Sequence, residues 1–263
     1  MVGELGAAIN VPLMMIGDRT GLFRAMNGAG WMSPAELAAK AGADERYVRE
    51  WLSALAAGHI VEYNANDGTF RLPEEHAFAL AVDGSPADLQ GAFSVIGSLY
   101  FDWERIAQAF QTGEGVGWHE HHHSLFHGTD RFFRPGYKAH LIHEWIPALD
   151  GVAQRLQQGA KAADVGCGFG LWSSYFSLVA PQRSIVGVDI SERRVEVARE
   201  VKRKLGLERN EYHVGTVEAS GVEGPFDGIV VLDVLHHVAP EHQRPMLERL
   251  VSLLAPGGVL IVK

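Results

Sequence analysis

The chain has 263 residues, of which 47% are hydrophobic and 21% are charged, and its formal net charge is -9 at pH 7. This composition is typical of a globular protein of one or two domains and excludes the disordered, collagen-like and fibrous classes. The acidic balance argues against a nucleic-acid partner, because the neutralisation of phosphates requires clustered Lys and Arg.

We expect no targeting segment in this sequence. No apolar run reaches the length of about 20 residues that spans a bilayer, and the first residues lack the basic segment of a secretory signal. The single cysteine, Cys167, cannot form an intrachain disulfide, which agrees with a reducing compartment. We therefore expect a cytoplasmic protein that has no membrane partner.

The N-terminal residues predict helices. An apolar helix is expected over residues 5–27, ending near Gly28. Ser33 and Glu36 have the spacing of a capping box, which predicts a second helix that ends at Gly42.

A third helix and a hairpin follow. Asp44 is expected to cap a helix that ends at Gly58, because apolar residues recur between them at helical spacing. The apolar segments 59–63 and 69–72 flank an Asn-Asp-Gly turn at 66–68, which predicts a β-hairpin.

Two helices followed by a hairpin resemble a winged-helix module, which in nature either binds DNA or serves in dimerisation. Over residues 33–60 acidic side chains outnumber basic ones: Glu36, Asp44, Glu45 and Glu50 stand against Lys40, Arg46 and Arg49. Because base recognition depends on phosphate contacts, this balance favours dimerisation or the covering of a substrate. A transcription regulator with a ligand-sensing α/β domain remains the alternative.

The middle of the chain differs in composition. Helical segments are expected over 86–112 and again around 138–158, whereas residues 113–136 are rich in Gly, His and aromatic residues. The latter composition predicts a linker or a loop that closes over a site. We therefore divide the chain into a winged-helix-like domain for dimerisation or substrate covering, a linker with a lid helix, and a cofactor-binding domain, over residues 1–112, 113–158 and 159–263.

Short apolar segments alternate with amphipathic helical segments in the C-terminal part. This alternation predicts an α/β fold with a doubly wound, mostly parallel, Rossmann-like sheet that is covered on both faces. A first strand is expected to begin near Ala162 and to run into the glycine-rich loop, and further strands are expected at residues 184–190, 211–216, 226–234 and 259–263. The expected helices include 191–205 and 241–254.

A glycine-rich turn follows the first of these strands. Gly166, Gly168 and Gly170 would let the backbone approach a ligand closely. The dinucleotide fingerprint G-x-G-x-x-G would need its third glycine at Leu171, so the spacing departs from that of an NAD site. Asp164, expected within the same loop, would oppose a pyrophosphate and favours a cationic ligand.

Asp189 ends the second strand and lies 19 residues after Gly170, where an acidic residue can accept both ribose hydroxyls of a nucleoside. A nucleoside with a cationic tail fits S-adenosylmethionine better than NAD. The segments DVGCGFG, VDIS, FDGIVVLDVLHH and LLAPGGVLIVK resemble, in this order, four motifs of the class I S-adenosylmethionine-dependent methyltransferases. With its winged-helix start, the chain resembles small-molecule O-methyltransferases that dimerise through such a module, and bacterial two-domain methyltransferases.

The resemblance implies a small-molecule acceptor, a homodimer and a set of cofactor contacts. The loop residues would hold the methionine part, Asp189 the ribose, and Asp233 would lie beside the methionine tail. Thr216 stands where the family often has an acidic residue near adenine, and Glu218 follows it. The implied cofactor-binding residues are Asp164, Gly166, Gly168, Gly170, Asp189, Ile190, Glu218 and Asp233.

Methyl transfer to a hydroxyl needs an aligned nucleophile and a proton acceptor. A histidine near its ordinary pKa suits the second role. The resemblance favours His236, because the catalytic histidine of the dimeric O-methyltransferases follows a leucine at this strand end. His237 stands where those enzymes have an acidic residue, and we include it as a second catalytic candidate. Cys167 is expected to be a small filler rather than a nucleophile.

A histidine-rich segment lies between the two halves. Residues 119–123 match H-E-x-x-H, the zincin signature, in which two histidines of one helix bind zinc and Glu120 would be the base. A zinc hydrolase is therefore a minor alternative, and the main interpretation includes no metal. In that interpretation the segment is a lid, His119, Phe133 and Tyr137 bind the substrate, and His119 or His122 could be the base.

The chain ends at Lys263, at the fifth strand. Class I methyltransferase sheets continue with a helix and an antiparallel hairpin, and an uncovered apolar edge promotes aggregation. We therefore expect either a longer natural protein or a partner chain that covers this edge.

Overall fold

The computed structural model describes residues 1–148, 151, 154–155 and 159–263. The chain forms two compact units, Met1–Leu141 and Ile142–Lys263. The domain roles predicted for 1–112, 113–158 and 159–263 stay predictions.

The first helical stretch is interrupted. Helix α1 (Val2–Thr20) ends at Gly21, whose φ of 76° is left-handed, and α2 (Leu22–Met26) follows at once. A left-handed residue cannot continue a helix, and glycine adopts this conformation without a steric penalty. The prediction of one continuous helix over 5–27 was therefore wrong.

The helix-turn-helix begins at both of the predicted caps. The side chain of Glu36 accepts a hydrogen bond from Ser33 N at 2.8 Å, and Ser33 Oγ accepts one from Glu36 N, so α3 (Pro34–Ala41) has the expected capping box. Asp44 Oδ1 accepts from Arg46 N at 3.0 Å at the start of α4 (Glu45–Ala57). Local side-chain chemistry thus fixes both helix starts.

The predicted hairpin is the wing. Strands β1 (Glu62–Asn64) and β2 (Thr69–Arg71) pair antiparallel, and Phe70 also pairs with Met32, just before α3. The core beneath them contains Phe23 and Trp51, whose rings meet edge to face at 5.0 Å. These contacts join the wing, α2 and α4 around one hydrophobic core and confirm the winged-helix prediction.

Three further helices complete the N-terminal unit. Helix α5 (Glu74–Leu80) was not predicted, and α6 (Gln90–Thr112) confirms the helix expected over 86–112. After a 3-10 turn at Trp118–Glu120, α7 (His123–His140) occupies most of the segment predicted to be a loop, so that prediction was wrong.

Helices α6 and α7 touch backbone to backbone. A Cβ added to Gly91 would lie 2.6 Å from the carbonyl oxygen of Gly128, and one added to Gly128 would lie 2.7 Å from the carbonyl oxygen of Gly91. This packing explains why a glycine-containing segment is helical here.

A helix was expected around 138–158. Helix α7 supplies its start, and a π-helical turn covers Leu141–Trp145. The portions 149–150, 152–153 and 156–158 lie outside the described residues.

The C-terminal unit contains a five-stranded parallel sheet in the order β5-β4-β3-β6-β7, with a helix after the first, second and fourth of these strands in chain order. This confirms the doubly wound α/β prediction. Its elements are β3 (Lys161–Val165), α8 (Leu171–Val179), β4 (Ser184–Asp189), α9 (Glu192–Leu205), β5 (Asn210–Val214), β6 (Phe226–Val231), α10 (Pro240–Ser252) and β7 (Leu254–Val262).

The strand order creates a crevice. From β3 the chain passes to β4 on one side, and later returns through β6 on the other side of β3. Open α/β sheets bind ligands at the carboxyl ends of the strands beside such a reversal.

β7 is the edge strand of the described sheet, and the expected covering of that edge stays a prediction. Within the described ranges, no helix is long and apolar enough to cross a bilayer.

Candidate functional site

The predicted cofactor residues meet at one edge of the parallel sheet. The loop 166–170 follows β3, Asp189 ends β4, Glu218 lies in a turn after β5, and Asp233 follows β6. Because the carboxyl ends of parallel strands share one edge, these four segments are neighbours. The spacing argument from the sequence therefore identified a common edge.

The glycine-rich loop is held by backbone hydrogen bonds. Gly166 N and Cys167 N both donate to the carbonyl oxygen of Val188, at 2.7 and 3.0 Å, and Gly170 N donates to the carbonyl oxygen of Cys167 at 2.8 Å. Gly166, Gly168 and Gly170 have φ values of 75°, 53° and 67°, the left-handed region that favours glycine. The loop conformation thus depends on all three glycines.

The space around these glycines differs. A Cβ on Gly166 would lie 2.2 Å from Val234 Cγ2, and one on Gly170 would lie 2.8 Å from the ring of Tyr212. A Cβ on Gly168 would meet no atom within 4 Å. Gly166 and Gly170 therefore permit close packing of the loop on the protein, whereas the Gly168 backbone faces open space.

Asp189 connects two parts of this edge. Its Oδ2 accepts a hydrogen bond from Gly168 N at 2.9 Å, and its Oδ1 accepts one from Ser191 N at 2.8 Å, at the start of α9. The side chain is buried, with 6% of its residue surface exposed. Each carboxylate oxygen has a second lone pair, so the group can accept further hydrogen bonds from a ligand.

Asp164 differs from the expectation. It was predicted within the loop, but it lies in β3, paired in register with Gly187 of β4, and it is buried. Burial and, to a smaller extent, the charge of Asp189 raise its pKa to about 6, although a hydrogen bond from the Ser173 hydroxyl lowers it. The carboxyl group is thus a buried acid that titrates just below neutral pH.

A buried polar network lies behind the loop. Ser177 Oγ donates to Asn210 Oδ1 at 2.6 Å, and Asn210 Nδ2 donates to the Tyr212 hydroxyl at 3.3 Å. The Ser174 hydroxyl lies 3.4 Å from the same phenol oxygen. Sequence reasoning missed these residues, although the serines at 173, 174 and 177 on one side of an otherwise apolar helix were a usable signal.

Cys167 is buried and belongs to a small cluster with Val195, Ala198 and Tyr212. Burial raises the pKa of its thiol, as do the charges of Asp164 and Asp189. A thiol held in its protonated form is a poor nucleophile. The structure therefore agrees with the prediction that Cys167 is a filler.

The backbone after β6 is unusual. Asp233 has a φ of 55°, although it carries a side chain, and such residues concentrate at functional sites. Its Oδ2 forms an ion pair with Lys263 Nζ at 2.9 Å, and its N–H donates to the carbonyl oxygen of Lys263 at 3.2 Å. The carboxylate thus stands at the strand-end edge with a defined direction.

The two candidate catalytic histidines follow in a 3-10 turn, Leu235–His237. The rings of His236 and His237 are 4.0 Å apart, and both side chains are exposed. Partial burial lowers the pKa of His237, as do the positive charges of His236 and Arg194. A lowered pKa keeps the imidazole neutral near pH 7, the form that can accept a proton.

The remaining predicted cofactor residues are exposed. Ile190, directly after Asp189, has 68% of its surface exposed, an unusual degree for an isoleucine beside a buried carboxylate. Glu218 is exposed in the turn after β5. Ile190 therefore offers an apolar surface and Glu218 a charged one at this edge.

The histidine segment does not form the zincin arrangement. His119 and Glu120 lie in the 3-10 turn, whereas His123 begins α7, so the two histidines do not share a helical face. Among the described residues there is no group of three side chains that could hold a metal ion. The zinc-hydrolase alternative therefore lacks its structural basis.

The predicted substrate residues belong to the N-terminal unit. His119 is exposed in the 3-10 turn, and Phe133 and Tyr137 lie on α7, the former with 41% of its surface exposed. Their role stays a prediction. On the helix-turn-helix, Arg49 pairs with Glu45 of the same helix.

Comparison with known proteins assigns both regions. Residues 7–82 match the family Rv2258c-like winged HTH domain, and residues 162–258 match the family Methyltransferase domain. The chain carries a winged helix-turn-helix domain and a methyltransferase domain. The predicted class of fold and motifs is thereby confirmed, and the glycine-rich loop, Asp189 and Asp233 all lie within the methyltransferase domain.

Curated relatives match this chain over about half of their own length. A ubiquinone biosynthesis O-methyltransferase of Caulobacter sp. (strain K31) is 34% identical over 115 residues, which are 43% of this chain and 44% of the relative. One from Xanthomonas axonopodis pv. citri (strain 306) is 33% identical over 125 residues, 46% of this chain and 50% of the relative. The chain thus spans about half the length of the curated relatives it matches.

Solved structures resemble the whole chain. Mitomycin 7-O-methyltransferase has a TM-score of 0.69 at 20% identity, covering 98% of this chain and 77% of its own. Human N-acetylserotonin methyltransferase, solved with S-adenosylmethionine, has a TM-score of 0.64 at 19% identity, covering 98% and 77%. At this identity the likeness establishes a shared fold alone.

Proposed function

We propose that this protein transfers a methyl group from S-adenosylmethionine to a hydroxyl of a small aromatic acceptor. The observation that carries the proposal is the Asp189 carboxylate, which joins the glycine-rich loop to the end of β4. This carboxylate stands at a strand-end edge of a methyltransferase domain. The winged-helix unit and the curated relatives support the same interpretation.

The residues at the edge fit the chemistry of S-adenosylmethionine. Asp189 can accept from ribose hydroxyls, and exposed Ile190 offers an apolar surface to adenine. Gly168 leaves space for a close approach, and the carboxylates of Asp164 and Asp233 favour a cationic amino-acid tail. Glu218, with Gly166 and Gly170, completes the proposed cofactor contacts.

When bound, S-adenosylmethionine supplies an electrophilic methyl group on a sulfonium. The chain then has to orient the acceptor oxygen, exclude water and accept one proton. His237 is suited to hold that proton because its neutral form predominates, and His236 lies beside it. His119, Phe133 and Tyr137 are the proposed acceptor contacts.

An aromatic acceptor is supported by what related proteins bind. The O-methyltransferase of neocarzinostatin biosynthesis, with a TM-score of 0.63 and 20% identity over 96% of this chain and 78% of its own, was solved with S-adenosylmethionine and 2-hydroxy-5-methyl naphthoic acid. An aromatic hydroxyl acid is thus accommodated by a neighbour with the same fold. We extend only this substrate class to the present chain.

We also infer a cytoplasmic homodimer. Helix α6 exposes a row of large apolar side chains beside α1, and Tyr100 joins the helices by donating to the carbonyl oxygen of Ala8 at 2.8 Å. Trp103 and Phe110 are 59% and 88% exposed, which is characteristic of an interface between proteins. A second copy of the chain is the proposed occupant of this apolar face.

Calorimetric titration with S-adenosylmethionine and S-adenosylhomocysteine tests the cofactor assignment directly. We expect one site per chain with micromolar affinity for both. A panel of hydroxylated aromatic acids, incubated with the protein and S-adenosylmethionine and analysed by mass spectrometry, tests the transfer. Absence of heat with both nucleosides would contradict the proposed function.

A further inference from the structure

Three residues form a row across the strands of the C-terminal unit. Asp164 of β3 pairs in register with Gly187 of β4, and Gly187 pairs in register with Tyr212 of β5. Residues that lie opposite each other on neighbouring strands project to the same face of the sheet. Because Gly187 has no side chain, the space between Asp164 and Tyr212 on this face is open to the Tyr212 ring.

The ring of Tyr212 occupies the space of two absent side chains. A Cβ added to Gly187 would lie 2.5 Å from Tyr212 Cδ1, and one added to Gly170 would lie 2.8 Å from Tyr212 Cε1 and from its hydroxyl oxygen. Tyr212 is 5% exposed. The ring therefore packs between the middle of β4 and the last glycine of the glycine-rich loop.

Hydrogen bonds hold Tyr212 at both ends. Its hydroxyl accepts from Asn210 Nδ2 at 3.3 Å and lies 3.4 Å from Ser174 Oγ. Its carbonyl oxygen accepts from Nε and Nη2 of Arg199, at 3.2 and 2.7 Å. Ser174 lies near the start of α8, and its N–H donates to the carbonyl oxygen of Gly170 at 2.8 Å. The ring thus cannot turn away from the loop without the loss of buried hydrogen bonds.

The phenol of Tyr212 stays protonated near neutral pH. Burial and, to a smaller extent, the charge of Asp164 raise its pKa, although its hydrogen bonds with Ser174 and Asn210 lower it. Tyr212 therefore acts through its shape and its hydrogen bonds and not through the transfer of a proton.

We infer that Tyr212 is a positioning residue of the cofactor site, because its ring, packed on Gly187, supports the glycine-rich loop at Gly170. The inference rests on the proposed function. Gly170 N donates to the carbonyl oxygen of Cys167 at 2.8 Å, so a displacement of Gly170 moves the loop as a whole. The Gly168 backbone, which faces open space, would move with it. Tyr212 thus acts on the cofactor through the loop.

Gly187→Ala tests the inference from the far side of the ring. Alanine is permitted in a strand, but its methyl group would overlap the Tyr212 ring and lie 2.9 Å from Cys167 Sγ. We expect the displaced ring to weaken S-adenosylmethionine binding at least about tenfold in calorimetry. Gly228→Ala, in β6, is the matched control, because the nearest described neighbour of its added Cβ is the carbonyl oxygen of Val259 at 4.0 Å. The control should bind with native affinity.

Substitutions at Tyr212 separate the ring from the hydroxyl. Tyr212→Phe keeps the ring and should weaken binding less than about threefold, whereas Tyr212→Val, which suits a strand, should weaken it about tenfold. Gly187→Ala should cost less than about threefold in the Tyr212→Val background, because the overlap with the ring is gone. Losses that multiply in the double variant, or a Phe variant as weak as the Val variant, would overturn the role of the ring.

Amide hydrogen exchange of the free protein provides a measurement that needs no ligand. Exchange over residues 166–170 should be faster in Gly187→Ala than in the native protein and in Gly228→Ala, whereas exchange of α10 should stay native. Equal acceleration in the loop and in α10 would indicate general destabilisation and overturn the positioning role. If Gly187→Ala does not melt cooperatively, the same comparison between Tyr212→Val and Tyr212→Phe carries the test.

The native protein separates the two proposals. Its failure to bind S-adenosylmethionine would contradict the proposed function, and the exchange comparison would still test the support of the loop. A native protein that binds S-adenosylmethionine, together with equal affinities of Gly187→Ala and Gly228→Ala, would contradict the role of Tyr212 alone.

Discussion

Gly168 donates its backbone N–H to Asp189 Oδ2 over 2.9 Å, so that the glycine-rich loop and the end of β4 form one unit. The carboxylate thus has two functions in the proposed site. It fixes the loop conformation in the free protein, and it keeps lone pairs available for a ribose.

Asp189→Ala is therefore expected to weaken S-adenosylmethionine binding about a hundredfold, because it removes both the ribose acceptor and the loop contact. Asp227→Ala is the matched control. Asp227 also accepts from a backbone N–H, that of Lys161 at 2.9 Å, but at the opposite ends of β3 and β6. Calorimetry should give native affinity for the Asp227 variant, and equal losses in both variants would argue against a specific role of Asp189.

Cofactor binding should depend on pH through Asp164. Its pKa is raised to about 6 in the folded protein, so ionisation of this buried group costs stability as the pH rises from about 4 to about 6. A cationic ligand would stabilise the ionised form and return the pKa towards its ordinary value. The dissociation constant of S-adenosylmethionine should therefore fall about tenfold between pH 5 and pH 7.

Asp164→Asn removes this titration and identifies its origin. We expect the variant to lose most of the pH dependence measured by calorimetry, and to gain thermal stability relative to the native protein as the pH rises above 6. An unchanged pH slope in Asp164→Asn would assign the dependence to another group.

Gly166→Ala tests the close packing of the loop. The added Cβ would overlap Val234 Cγ2 at 2.2 Å, in addition to the left-handed φ of 75°. Gly206→Ala is the control, because Gly206 has a φ of 64° but no atom within 4 Å of an added Cβ. The control should cost about 1 kcal/mol in denaturant unfolding, and Gly166→Ala about 2 kcal/mol more. Similar losses in both variants would contradict the packing argument.

The apolar face of α6 predicts the oligomeric state. Phe110→Glu introduces a charge at its most exposed ring and should convert a dimer into a monomer in light scattering after gel filtration. Tyr47→Glu, on α4 and 76% exposed, changes an equally exposed aromatic residue outside this face and should leave the dimer intact. A native monomer at micromolar concentration would contradict the inferred homodimer.

Arg131 of α7 lies among three carboxylates. It reaches Asp18 at 2.5 Å, Asp83 at 2.8 Å and Asp88 at 3.6 Å, and its own side chain is 27% exposed. Burial lowers the pKa of Arg131, but these carboxylates raise it above its ordinary value overall. Arg131→Met should cost about 2 kcal/mol of unfolding free energy, because the buried carboxylate of Asp88 would lose its ion pair with Arg131.

Arg134→Met provides the comparison one turn further along α7. Arg134 pairs with Asp130 on the same helix, and its side chain is 49% exposed, so the loss should stay within about 0.5 kcal/mol. Thermal unfolding of both variants measures the difference. A native melting temperature for Arg131→Met would refute the argument.

The features that could be predicted from the sequence are those set by local chemistry. Ser33 and Asp44 cap helices by accepting hydrogen bonds from backbone N–H groups two or three residues away. Such local contacts can be predicted from the neighbouring residues in the sequence. The positions of Asp189 and Asp233 followed from strand ends, because parallel strands align their carboxyl ends.

Other features depend on contacts that sequence reasoning does not supply. The pairing of β3 with β4 and β6 extends the strand as far as Val165, and this places Asp164 in the core rather than in the loop. The segment after residue 122 is a helix because α6 packs against it, although its own glycine and histidine content has low helix propensity. Asp102 and His121, whose side chains form a hydrogen bond, are separated by 19 residues, and no spacing rule connects them.

The contact between Gly91 and Gly128 has an effect far from either residue. Asp102 lies 11 residues beyond Gly91, three turns along α6 on the same side, about 16 Å away. A methyl group added at either glycine would tilt one helix from the other and widen the gap that the segment before α7 has to bridge. The hydrogen bond between His121 and Asp102 therefore depends on Gly91 and Gly128, two residues that carry no functional group.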